Sequence, residues 1–336
     1  MGTSSSKQTL LSSGQVVYTQ QSLSSGSGTF TASVGSLNEA TTYYYVAFME
    51  VLVGGSYQTI TGNVRSFTTA STSTANTANG DWLELPASPA SLGSMYLVTP
   101  RATYNGQNVR NYTILYDPSR YASLWVAYTL YSGVYGGGGS SSWTNNPLIP
   151  ASKQTSVKKS YGEVNGVTYD RGHQIANADR SETSMNEQTF YWTNSTPQLS
   201  EFNAGIWANL EAQARTQASY TDTLYVTTGP VYKTVGGNES VFTFANTAND
   251  SKIVPVPNYY YKVLLKVRRS SGVVTAASAI GFWFTHEAHT GENWQNFAVS
   301  VDEIEQKTGF DFFANLPDGV EASAEANANW NTFKNF

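Results

Sequence analysis

Three runs in the second half of the chain, TDTLYVTTG (221–229), YYYKVLLKV (259–267) and VVTAASAIGFWF (273–284), are dense in β-branched and aromatic residues and set off by Gly, Pro and Asn. Such runs fit a pleated, packed surface and predict strands. NYTILYDPSRYASLWVAYTL (111–130) reads as two further strands around an Asp-Pro-Ser turn. Near the start, TFTASVG, TTYYYVAFMEVLV and QTITGNVRSFTT alternate partially between apolar and polar positions, with Gly-containing turns between them, and predict short strands. The period changes in EFNAGIWANLEAQARTQA (201–218), where Phe202, Ile206 and Leu210 recur at helical spacing. VSVDEIEQKTG (299–309) predicts a second, shorter helix stopped by its Gly. No internal repeat is visible.

Two stretches lack apolar periodicity altogether. GGGGSSS (136–142) predicts a flexible loop, and STSTANTANGD (71–81) has the composition of a linker. The chain therefore divides into a β-rich segment over 1–70, a linker over 71–80 and a large domain over 81–336. A length of 336 residues, beyond the usual single-domain range, agrees with that division.

With 40% hydrophobic residues and 13% aromatics the chain has the means to build a large core. No apolar run approaches a membrane span. The absence of cysteine excludes disulfides, thiolate metal sites and Cys nucleophiles. A formal net charge of -5 argues against coating nucleic acid through an overall field, but the charge is uneven. Between 101 and 160, Arg101, Arg110, Arg120, Lys153, Lys158 and Lys159 stand against Asp117 alone, which predicts one locally basic face.

Only 13% of residues are charged, yet VTYDRGHQIANADR (167–180) crowds Asp170, Arg171, His173, Asp179 and Arg180 together. The bland reading is a surface turn with an incidental ion pair. The chemical reading is metal-assisted phosphodiester hydrolysis. Neutral imidazole, with an ordinary pKa of about 6.5, accepts a proton from water near neutral pH, which suits His173. Charge that builds on the phosphoryl oxygens is stabilised by a hard divalent cation and by a planar guanidinium, which suits Arg171. Mg²⁺ keeps several waters, so one side-chain amide oxygen together with the substrate phosphate is enough to hold it. Asn203 and Glu211, eight positions and about 12 Å of helical rise apart, share a broad face of the predicted helix.

Two resemblances rest on these residues. LNEATTYYYVAF resembles the tyrosine-corner region of fibronectin type III domains, with Leu37 and Tyr43 in the paired places; only 36 residues precede Leu37, so the first strands are missing or replaced. DRGHQIANADR, followed by TNSTPQLSEFNAGIWANLEAQAR (193–215), VTTGPVY (226–232) and VSVDEIEQKTGF (299–310), resembles the DNA/RNA non-specific endonuclease family of the ββα-metal superfamily, over most of residues 80–320. That resemblance implies an α+β nuclease domain, with a central antiparallel sheet and flanking helices, behind a small all-β domain. It implies His173 as general base, Asn203 as the single protein ligand of Mg²⁺ (Mn²⁺ substituting), Arg171 as supporting arginine and Glu211 as the helix glutamate linked to metal waters and leaving group. Asn194 and Arg215 match further polar positions around the site, with Arg215 on the substrate, and Asp170 matches the first motif residue as a positioning group. It further implies cleavage of DNA and RNA to 5′-phosphate ends, an extracytoplasmic location (secreted, periplasmic or cell surface), and a surface or polymer as partner of the N-terminal module.

The sequence departs from the family in one place. An arginine that some members carry before a Trp is absent from GGGGSSSWTNNP, where Ser141 stands; Lys158, Lys159 or Arg110 is left to replace it. Elsewhere, His286, His289 and Glu292 lack H-E-x-x-H spacing and read as a solvated loop rather than a zinc site. Trp207 reads as core, Asp179 and Arg180 as a surface ion pair, and the acidic residues of VSVDEIE as the solvated face of a helix. Asn111, Asn194 and Asn238 match the glycosylation triplet by pattern only. The rival functional reading is a catalytically silent surface-binding protein that uses the nuclease fold as scaffold.

Overall fold

The computed structural model describes residues 1–13, 41–68, 82–137, 139, 142–157, 160–164, 166–233, 243–247 and 250–336. The backbone separates into two compact units, 1–80 and 81–336. The first contains a helix that the sequence pattern did not predict, α1 (Lys7–Ser13), and four strands: β1 (Thr42–Tyr45), β2 (Phe48–Val53), β3 (Ser56–Thr61) and β4 (Arg65–Thr68). β1 pairs with β4 and β2 with β3, both antiparallel. Tyr43 is buried and stacks on Phe67 at 5.9 Å. Leu37 and TFTASVG lie outside the described residues.

The second unit is α+β around a seven-stranded sheet. In chain order its strands are β5 (Tyr96–Val98), β6 (Arg101–Tyr104), β7 (Gln107–Arg110), β8 (Thr113–Asp117), β9 (Ala122–Leu130), β10 (Tyr161–Val164), β11 (Val167–His173), β12 (Ser195–Leu199), β13 (Leu224–Val231), β14 (Phe244–Asn246), β15 (Ile253–Pro255), β16 (Tyr259–Ser270), β17 (Val273–Thr285) and β18 (Ala298–Val299). The large sheet has the order β18-β17-β16-β13-β9-β8-β5, and every pairing in it is antiparallel. The helices are α2 (Thr183–Thr189), α3 (Ser200–Phe202), α4 (Ala208–Ala218), α5 (Val301–Thr308), α6 (Asp318–Glu325) and α7 (Trp330–Lys334).

Side chains leave a strand alternately on its two faces, and both faces of this sheet are covered. Ile114, Tyr116, Leu224, Val226, Tyr260, Leu264, Ile280 and Phe282 join one core with Phe202, Trp207 and Leu210 from the segment leading into α4, and with Trp330 and Phe333 of α7. Leu115, Tyr225, Val263, Leu265 and Ala279 point the other way, into a second core with Val301 and Ile304 of α5, Phe312, Phe313, and Ala324 of α6. Double coverage is why β8 and β13 are buried along their whole length.

A smaller sheet, β10-β11-β12, carries the motif-bearing segment. β12 runs directly into α3, which makes β11, β12 and the following helix a strand–strand–helix unit. Tyr260 anchors this unit to the large sheet: its hydroxyl donates to the Pro197 carbonyl at 2.8 Å and lies 2.9 Å from Thr196 Oγ1. The predicted helix over 201–218 is interrupted. Residues 203–207 form a wide π-type turn, with Gly205 at φ -97 and ψ -112, so Asn203 and Glu211 are not related by one regular α-helical repeat. α5 begins at Ser300, whose hydroxyl accepts from Glu303 N, and ends at Gly309 with φ 78.

Candidate active site

β11 delivers the DRGH residues in register against β12: Asp170 opposite Gln198, Arg171 opposite Pro197, Gly172 opposite Thr196 and His173 opposite Ser195. The glycine is required by close approach, since a Cβ on residue 172 would lie 2.2 Å from Gln198 Oε1 and 2.4 Å from its Cγ. Arg171 and His173, two apart, share a strand face and meet the same ring: Trp143 lies 4.7 Å from the His173 imidazole and 5.3 Å from the Arg171 guanidinium carbon. Phe190 closes edge-on at 5.0 Å. Within this aromatic box His173 Nε2 is buried without a hydrogen-bond partner. Burial first, and the charge of Arg171 second, lower its pKa to about 4, so the imidazole is neutral at neutral pH.

Asp170 has a different task. Its Oδ1 accepts from Ser200 Oγ at 2.9 Å and its Oδ2 from Asn203 Nδ2 at 3.1 Å. The strand carboxylate thereby holds the amide nitrogen of Asn203 and leaves the amide oxygen as the group available to a cation. Asn194 lies beneath the site, fully buried. Its amide donates to Ile175 O and Thr189 O and accepts from Ile175 N, so it ties the segment just after His173 to the end of α2. It is a positioning residue, and its burial is incompatible with glycosylation.

Glu211 belongs to a buried charged group on the α4 side of the sheet. Desolvation raises its pKa to about 7; Lys262 and Arg215 pull it down, Asp179 pushes it up. Lys262 is fully buried, its ammonium 4.6 Å over the Trp207 ring with no hydrogen-bond partner, and burial lowers its pKa against the opposing pull of Glu211. Arg215 donates to Asp179 Oδ1 at 2.8 Å and so shares its charge with this network. Among the described residues no hydrogen bond joins His173, Asn203 and Glu211 to one another.

Several expectations are corrected. Asp179 and Arg180 are not a surface ion pair: both are 1% exposed. Asp179 holds Arg215 and Tyr128, while Arg180 holds both oxygens of Asn111 at 2.5 and 2.6 Å, because charges taken out of water need several partners each. His286 and His289 are not in a solvated loop. His286 Nε2 accepts from Leu199 N at 2.8 Å, pinning the end of β12, and its Nδ1 faces Pro257 O at 2.9 Å. His289 lies between Thr285 O and Glu292. Arg110 does not supply the missing arginine, since it pairs with buried Glu84 and stacks on Trp82 at 3.9 Å. Ser141, Lys158, Lys159 and Asn238 lie outside the described residues. Trp207 is core as expected, 1% exposed.

Two contributors were not singled out from sequence. Trp143 had a signal only in its place near the absent arginine. Lys262 had a clearer one: a lysine at a core-facing position of YYYKVLLKV.

A ββα unit that presents a neutral, desolvated histidine beside an arginine, with an oriented amide at the helix start, belongs to a hydrolytic enzyme acting on an anionic substrate. The chain belongs to the DNA/RNA non-specific endonuclease family, whose model matches residues 94–319. It is 31% identical to a nuclease of Serratia marcescens over 217 residues, 64% of this chain and 77% of that protein. It is 29% identical to a nuclease of Nostoc sp. over 219 residues, 64% and 75% of the two chains, and 28% identical to mitochondrial endonuclease G of Bos taurus over 213 residues, 61% and 68%. A crystal structure of an EndoG/EndoGI complex matches with a TM-score of 0.45 at 21% identity, covering 66% of this chain and 88% of that one. The protein is accordingly a nucleic-acid-cleaving endonuclease, a hydrolase of DNA and RNA.

Proposed function

We propose that the protein is a Mg²⁺-dependent, sugar-non-specific endonuclease that cuts DNA and RNA to leave 5′-phosphate ends. The observation that carries this reading is the His173 ring, neutral and unpaired at Nε2, fixed beside Arg171. Neutral Nε2 takes the proton of the attacking water, and the desolvated box keeps the imidazole from being protonated beforehand. Arg171 faces the charge that grows on the phosphoryl oxygens. The residues fit a hard cation: Asn203 would hold it through the amide oxygen that Asp170 leaves exposed. Bound there, Mg²⁺ or Mn²⁺ supplies Lewis-acid stabilisation of the phosphate. Glu211, poised near neutrality, orders the water around the leaving oxygen. Contacts to phosphate carry no sequence information, which accounts for weak base discrimination.

The N-terminal unit acts in this reading as an accessory module akin to fibronectin type III that docks on a surface or polymer, and the enzyme works outside the cytoplasm. The test is a gel assay on plasmid, single-stranded DNA and RNA, with Mg²⁺ and with excess EDTA. All three substrates are degraded with the metal and none with the chelator. Undiminished cleavage in EDTA removes the metal mechanism, and no cleavage with any divalent ion removes the enzymatic reading.

A further inference from the structure

Of the acidic residues of α5, Asp302 is exposed as its sequence suggests, but Glu305 is not on a solvated face. Glu305 is half-buried and turns toward α6, where Glu325 is 5% exposed. One carboxylate oxygen from each of Asp302, Glu305 and Glu325 lies within 4.8 Å of the other two. Glu325 Oε1 is buried with no hydrogen-bond partner, on a carboxylate that itself contributes an oxygen to the acidic cluster. Glu305 is held in place by its Oε1, which accepts from Phe312 N at 2.7 Å. Among the described residues no Lys, Arg or His pairs with any of the three. The nearby Lys307 is engaged by Glu303 and lies 4.7 Å over Trp283. β17, which supports both helices, has no titratable side chain from Val273 to Thr285.

An unpaired buried carboxylate costs several kcal/mol, on the order of the effective penalty for any desolvated ion, and two more acidic groups alongside it add to that. The group escapes that cost by holding a proton: burial, then repulsion from Glu305, Glu321, Asp302 and Asp311, raises Glu325 to about 9, and a cation bound there would displace the proton. A cation removes both penalties at once. One oxygen from each carboxylate lies close enough to the others to share an ion; three protein carboxylates suit Ca²⁺, which takes many oxygen ligands in a flexible geometry, better than Mg²⁺, which keeps several waters and is seldom held by an all-protein cage.

We infer that Asp302, Glu305 and Glu325 form a structural calcium-type cation site that clamps α5 to α6, on the face of the central sheet opposite α4. Its neighbours in the chain, Val301, Ile304 and Ala324, belong to the second core, whereas Trp207 belongs to the first, so its role is stability and not cleavage.

The test uses the full chain carrying Asn203→Ala, which takes the proposed catalytic metal out of the measurement, after treatment with EGTA. Calorimetric titration with CaCl₂ should give one binding event, and Ca²⁺ at a hundredfold excess over its Kd should raise Tm by roughly 5–10 °C. Glu325→Gln should abolish both responses while leaving Tm in EGTA unchanged or higher. Asp302→Asn, at an exposed position that does not endanger folding, should weaken binding at least tenfold. In an otherwise wild-type background, Glu325→Gln should leave Mg²⁺-supported nuclease activity unchanged. No heat and no Tm shift at millimolar Ca²⁺ overturns the inference, as does a Ca²⁺ response that survives both substitutions. An equal response to Mg²⁺ overturns the calcium assignment. Because the readouts are heat and Tm, failure here is separate from failure of the nuclease mechanism.

Discussion

Asn203 Nδ2 donates across 3.1 Å to Asp170 Oδ2, so a strand residue decides which end of the helix-start amide is free. If the free oxygen binds the catalytic metal, Asn203→Ala abolishes cleavage and millimolar Mg²⁺ does not restore it, whereas Asn203→Asp keeps partial activity with altered metal preference. Asp170→Ala leaves the ligand but not its support and should raise the Mg²⁺ concentration for half-maximal activity about 10–100-fold. Metal titrations of the three variants check this. Three equally active variants with lower Tm would reduce Asn203 to a helix-start residue.

His173→Ala should fold and lose about 10²–10⁴-fold in rate, the usual worth of a positioned base. The same histidine has a thermodynamic signature. His173 and His286 both have pKa values of about 4 in the fold, against 6.5 when unfolded. Between those values the unfolded chain binds more protons, so these residues contribute stability that is complete above pH 6.5 and lost as pH falls toward 4. Urea midpoints at several pH values should show the decline, and His173→Ala should remove its share.

Trp143→Ala removes one wall of the box around His173 and hydrates the ring more fully. The imidazole pKa should climb from about 4 toward 6.5, and the acid limb of the pH–rate profile should move with it. A proton NMR titration of His173 reads the first and initial rates read the second. An unmoved titration midpoint would show that Trp143 does not set the environment of the ring.

Lys262→Met replaces a buried ammonium with an apolar chain of similar length. Glu211 then loses the strongest influence holding its pKa down and should rise above about 7. Activity at pH 7 should fall more than activity at pH 9, moving the optimum toward alkali, while Tm changes little because no buried charge is left unpaired once Glu211 is protonated. A uniform loss at every pH would place Lys262 outside the control of Glu211.

A chain beginning at Asp81 should cut a short oligonucleotide as well as the full protein does, since every residue proposed for the chemistry lies beyond the linker. Loss of hydrolysis by a folded truncated protein would mean that the first unit contributes to the site.

The long strands of the large sheet were legible because a doubly covered sheet favours β-branched and aromatic residues, in which β13 and β16 are dense. The motif residues were legible because Asp170, Arg171 and His173 stand out in a chain so poor in charge. What periodicity does not record is the partner of a polar side chain. Asp179 and Arg180 look like any adjacent acid and base until the fold turns them inward onto Arg215, Tyr128 and Asn111. The wide turn at 203–207 escaped for a similar reason, since its apolar spacing is indistinguishable over one turn from that of a regular helix.

The strand–strand–helix unit is inserted in the chain between two strands that are neighbours in the large sheet, β9 and β13, with Leu130 paired to Leu224. Loop closure over such a distance is slow, and it waits for β13 to exist. In chain order Asp170, His173, Asn203 and Glu211 precede β13, β16 and β17, and with them Tyr260, Lys262 and His286, which support this region. A nascent chain therefore carries the residues proposed for cleavage before it holds the strands that support them, so cleavage competence should appear late in folding, with the closing of β9 onto β13.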